Sequence, residues 1–145
     1  MSKMMTIGVE AKLDEKYRIE VKVANHVMIM DQTKAGGGMD AGPSPPEYLF
    51  ASLAGCIGTV ARIVATQKRI PLRGMDMIVE GALDLETLLG KGKENRAGFT
   101  GIKVKLHIDA DLSRKEKEDF LKEVKSRSPL SDNITNPTPV VIEIA

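Results

Sequence analysis

The chain has 145 residues, one of them cysteine, and a net charge of +1 with mixed signs. That length suits a single domain, residues 1–145, with a sizeable core. The charge balance points away from nucleic acid and anionic membranes, and one cysteine excludes an internal disulfide. Three Phe, two Tyr and no Trp leave the core to aliphatic side chains, small residues and eight Met. The opening MSKMMTIGVE lacks the apolar core of a secretory signal, so a cytoplasmic location is expected.

Residues Thr6 to Leu13 alternate loosely and read as a first strand. Tyr17, Ile19, Val21 and Val23 then alternate with charged residues, a half-buried strand of period two. Ala24-Asn25 makes a tight turn, and Val27 to Met30 returns. Residues Asp31 to Gly42 form a glycine-rich loop, with Gly36, Gly37 and Gly38 in a row. It lacks the Lys-Ser/Thr ending of a phosphate-binding loop, so a flexible or tightly turning entry to the next element is expected.

That element runs from Gly42 to Arg69 and organises the chain. Tyr48 to Ala61 is the longest uncharged run, and Cys56 lies within it. Prolines at its start and Glu47 in its first turn suit a helix N-terminus. Ser44 and Pro45 both fit the cap region. Pro71 pushes Ile70 out of helical geometry, which ends the helix near Arg69 after roughly 22 residues, about 33 Å. Apolar and small residues surround the middle on every side, which predicts a helix buried all round. The uncharged run is too short for a membrane span.

After Pro71, Met75 to Leu85 reads as a strand and Leu88 to Gly98 as an exposed hairpin tip. Phe99, Ile102, Val104, Leu106 and Ile108 form a second long strand, with a bulge expected near Gly101. Ser113 and Glu116 make a capping box for an amphipathic helix bearing Phe120, Leu121 and Val124. Ser128-Pro129 opens a short turn, and Val140 to Ile144 reads as a final strand. Hairpins segregated from helices give an α+β fold.

Cys56 admits two readings. A buried cysteine is ordinarily a small hydrophobe. A reactive thiol needs a lowered pKa, from a cation or a helix N-terminus. Cys56 is about two and a half turns into its helix, beyond the dipole's first turn, so it needs an arginine from elsewhere. Arg18, Arg62 and Arg69 are candidates, with Arg73 behind them. Glu47 lies nine residues before Cys56, about 13.5 Å along a straight helix and on the opposite side. Within one helix the two cannot touch. His26 and His107 read as structural, and no Cys/His cluster has metal-ligand spacing, so no metal or cofactor is expected.

The stretch GGGMDAGPSPPEYLFASLAGC resembles the signature of the OsmC/Ohr family. YRIEVKVANHVMIMDQ is similar to that family's strand pair, and SPLSDNI to its second-cysteine motif. The likeness covers most of the chain in the same order. It implies an OsmC/Ohr-like fold: antiparallel sheets wrapped around a long buried central helix, in an intertwined homodimer. For the enzymatic members it implies thiol-based reduction of organic hydroperoxides. By that resemblance Cys56 matches the peroxide-attacking cysteine and Glu47 the glutamate that orients an activating arginine. Arg18 stands for that arginine, with no motif around it. Sites at a subunit interface would bring Glu47 and Cys56 within reach through another residue. The chief departure is Ser128, which stands where the family has its resolving cysteine. A hydroxyl cannot form a disulfide, so the resemblance implies a one-cysteine peroxidase regenerated by an external thiol. The alternatives are a non-catalytic dimer binding a small apolar ligand, and a redox sensor.

Overall fold

The computed structural model describes residues 1–145. The chain forms two compact units, 1–49 and 50–145, and the boundary falls within the long helix.

The first unit is an antiparallel meander of β1 (Glu10–Leu13), β2 (Ile19–Val23) and β3 (His26–Met30). Val21 is its buried apolar residue, as the alternation predicts. The first strand is shorter than expected. Glu10 pairs with Lys22, one residue before the end of β2, so residues before Val9 have no strand opposite them. After β3 the loop turns tightly around Asp31. A Cβ on Gly38 would stand 2.2 Å from the Gln32 carbonyl oxygen, and one on Gly42 2.2 Å from that of Ile29. Both glycines are therefore required by close backbone approach.

The helix α1 (Pro45–Lys68) has 24 residues, about 36 Å. Its first bond runs from the Tyr48 N–H to the Ser44 carbonyl, which places the cap at Ser44. The Tyr48 hydroxyl donates to the Ile29 carbonyl at 2.9 Å and ties the helix start to β3. At the other end Arg69 adopts φ 57°, the Arg69 N–H bonds Thr66 and the Ile70 N–H bonds Ala65. This is a Schellman ending with arginine in the left-handed position.

The second unit holds the rest of α1, a hairpin of β4 (Gly74–Ala82) and β5 (Gly101–Asp109), and the helices α2 (Leu85–Leu88), α3 (Arg114–Arg127) and α4 (Pro129–Thr135). Leu53, Ile57, Val60, Ala61, Val64 and Ala65 form one stripe of α1. They pack with Ile108, Phe120 and Val124 as the core. Burial all round α1 is not what the chain achieves. Ala51, Ser52, Gly55, Thr59 and Ile63 are exposed on its other side. One chain has only enough structure to cover one stripe. By length and apolarity alone α1 would also cross a bilayer; here its buried stripe forms the core.

Four other expectations change. β4 stops at Ala82 because Asp84 caps α2, accepting from the Glu86 N–H. Asp84 also accepts from the Asn95 amide at 2.8 Å, which orders the segment expected to be a bare hairpin tip. The register of β5 runs unbroken from Gly101, so there is no bulge; Phe99 precedes the strand and packs on Phe50, ring centroids 4.7 Å apart. Val140 to Ile144 forms no strand and pairs with nothing in its own chain. The Ser113–Glu116 capping box is present in both directions.

Candidate thiol site

Cys56 lies on α1 between the buried stripe and the exposed one, and is half-buried. Its side chain meets a hydroxyl from the junction of α3 and α4. The Cys56 Sγ stands 3.2 Å from the Ser128 Oγ. Ser128 is 1% exposed. It ends α3 and caps α4, its Oγ accepting from the Ser131 N–H at 3.4 Å. Pro129 at the first position of α4 suits that cap, since the missing N–H would have no helical partner. The serine thus links two helix ends and holds its hydroxyl against the sulfur.

An apolar cavity of about 310 Å³ lies in the second unit, with neither Cys56 nor Ser128 in its lining. Leu53 and Ile57 of α1, which flank Cys56 in sequence, line it together with Val104, Leu106 and Leu121. Ser131, Thr135 and Lys125 supply its few polar groups.

Glu47 sits in the first turn of α1, in the first unit. Its Oε2 accepts from the Ser44 N–H at 2.7 Å and from the Ser44 hydroxyl at 2.8 Å. These two bonds hold its carboxyl below the usual carboxylate range, against a smaller opposing effect of burial. The carboxylate closes the helix start and leaves Oε1 without a hydrogen bond. Arg18, also in the first unit, precedes β2. It pairs with Asp14 at 3.4 Å and Glu20 at 3.7 Å. Of the other arginines, Arg62 donates to the Leu72 carbonyl and Arg73 pairs with Asp109 and Asp111. Each is engaged locally.

The glycine-rich loop already has its anion. The Asp31 carboxylate, 1% exposed, accepts from the backbone N–H groups of Gln32, Met39 and Ala41. The three bonds and the Arg18 charge outweigh burial, which alone would raise its pKa, and hold the carboxyl low. Amides that would cradle a phosphate are spent on this side chain. No group of three His, Cys, Asp or Glu side chains has metal-binding geometry.

The fold and this thiol define a class: an α+β protein of two antiparallel sheets and one long helix carrying a single cysteine at its midpoint. The family model for OsmC-like protein matches residues 36–143, and the chain belongs to that family. Solved structures agree on the fold. An OsmC-like protein from Mycoplasma pneumoniae superposes with a TM-score of 0.80 at 20% identity, covering 92% of this chain and 89% of that one. An organic hydroperoxide resistance protein OsmC from Legionella pneumophila gives 0.68 at 22% identity, covering 92% and 91%. The organic hydroperoxide resistance protein OhrB of Bacillus subtilis gives 0.61 at 20% identity, covering 92% and 93%. No curated protein matches the chain.

Proposed function

We propose that the protein is a thiol-dependent reductase of organic hydroperoxides, with Cys56 as its reacting group. The observation that carries this reading is the placement of the sole cysteine: half-buried at the middle of α1, on the helix whose Leu53 and Ile57 line an apolar cavity. The family, and relatives named for organic hydroperoxide resistance, support it. In the reaction the Cys56 thiolate attacks the distal oxygen of ROOH. The S–O bond forms, the O–O bond breaks, and the alkoxide leaves and is protonated to ROH. Sulfur loses two electrons and becomes a sulfenic acid. An external thiol then condenses with it, releasing water, and a second thiol frees Cys56 and leaves as the disulfide. The cavity wall of Leu53, Ile57 and Val104 favours an organic over an inorganic peroxide.

The reading includes a homodimer in the cytoplasm. The uncovered stripe of α1 and the unpaired segment Val140–Ile144 are the surfaces a second copy would cover. In that assembly Arg18 would activate Cys56, and Glu47, through its free Oε1, would orient the arginine.

Intact-mass spectrometry tests the reaction. The native protein is exposed briefly to a slight excess of cumene hydroperoxide with a sulfenic-acid trap present. A fast adduct on Cys56, much faster than with hydrogen peroxide, is the expected result. Labelling only after denaturation would make Cys56 a core residue. The second reading, a protein that binds a small apolar ligand in the 310 Å³ cavity without turnover, would then lead.

A further inference from the structure

The Ser128 side chain still has its proton to donate after its structural duties. Its backbone N–H bonds the Lys125 carbonyl at 3.3 Å, and its carbonyl accepts from the Asp132 N–H at 3.1 Å. Its Oγ accepts from the Ser131 N–H. A hydroxyl has one proton to donate and rotates to suit its partner. The residue is 1% exposed, and no backbone carbonyl takes that proton. The one acceptor in reach is the Cys56 sulfur, at 3.2 Å.

With a neutral thiol either atom can donate. With a thiolate only the hydroxyl can. A hydrogen bond to a charged acceptor is about twice as strong as one between neutral groups. The contact therefore strengthens when the thiol ionises. We propose that Ser128 is a positioning residue for Cys56, its hydroxyl donating to the sulfur and stabilising the thiolate ahead of attack. The proposal rests on Cys56 being the reacting group. It also gives the oxidised state a defined end point. The sulfenic acid stays beside a hydroxyl that cannot condense with it, and the chain holds no second thiol. It waits for an external thiol.

The test is the rate of Cys56 alkylation by iodoacetamide as a function of pH, in the native wild-type protein and in Ser128→Ala and Ser128→Gly. Circular dichroism establishes that each variant is folded. Glycine is nearly as good a helix N-cap as serine, so Ser128→Gly removes the hydroxyl with little loss of capping and serves if Ser128→Ala does not fold. Both variants are expected to alkylate roughly tenfold more slowly at neutral pH, with the midpoint of the profile moved upward. An unchanged profile in a folded variant overturns the proposal and leaves Ser128 as a cap alone. Alkylation consumes no peroxide, so the two readings fail separately. A shifted profile in a protein that forms no sulfenic acid keeps the Ser128 assignment and removes the peroxidase. Rapid sulfenic acid formation with an unshifted profile does the reverse.

Discussion

Cys56 and Ser128 are 72 positions apart in the chain, and their side chains meet at 3.2 Å. α1 presents the sulfur and the α3–α4 junction presents the hydroxyl. Neither element alone makes the site. The contact has the separation of a hydrogen bond, and little movement would convert it to covalent distance if both atoms were sulfur.

Ser128→Cys should therefore form an internal disulfide with Cys56. A disulfide needs an S–S length near 2.05 Å, and the Cys56 Sγ and Ser128 Oγ already stand 3.2 Å apart. Mild oxidation is expected to remove both free thiols, with a mass loss of two hydrogens that a reductant reverses. Two titratable thiols persisting in the folded, oxidant-treated variant would mean that the two side chains do not meet in solution.

Gly55→Ala separates a chain acting alone from one in a dimer. A Cβ at Gly55 meets nothing within 4 Å in this chain. On propensity alone, alanine stabilises a helix interior by about 1 kcal/mol over glycine. If a second copy packs on this stripe, the added methyl meets it. The expected result is a weaker dimer, measured by sedimentation over a dilution series. Unaltered association with raised thermal stability would place this stripe in solvent.

Acid should loosen the chain through Asp31 and Glu47, whose carboxyls are both held low. A depressed folded-state value contributes stability that is fully present above the unfolded value, about 4, and lost as pH falls through the folded one. Melting midpoints should thus hold near neutrality and drop below about pH 4. Asp31→Asn is expected to lower the neutral-pH midpoint and flatten the acid limb. A variant whose acid limb matches that of the wild type would remove Asp31 from this role.

Phe120→Ala probes the core. Phe120 is 3% exposed and belongs to the cluster that α1 completes. Its truncation should cost about 3–5 kcal/mol, read from urea unfolding. A loss below about 1 kcal/mol would mean that the site collapses around the missing ring.

Much of this was legible in local sequence. Alternation located β2 and β5, because a half-buried strand must alternate. Ser113 and Glu116 announced the start of α3, because a capping box is complete within four residues. Glu47 and Cys56 stood out by position and by resemblance to a family motif. Composition and periodicity did not reveal that Ser128 touches Cys56, since that depends on how α1 meets the end of α3; only the resemblance to a family with paired cysteines pointed there. Nor did they reveal that the amides of the glycine-rich loop serve Asp31, since a carboxylate one residue past a strand looks like any turn aspartate. Val140 to Ile144 shows the opposite failure. Its apolar composition fits a strand, yet a strand exists only by pairing, and in this chain the segment joins neither sheet. Local rules, which act over a few residues through backbone sterics, capping and periodicity, determined the elements and their order. The choice of which side of an all-apolar helix is buried, and of which distant hydroxyl faces the one thiol, belonged to tertiary packing. That choice depends on surfaces brought together from far apart in the chain, and no short stretch of sequence contains them.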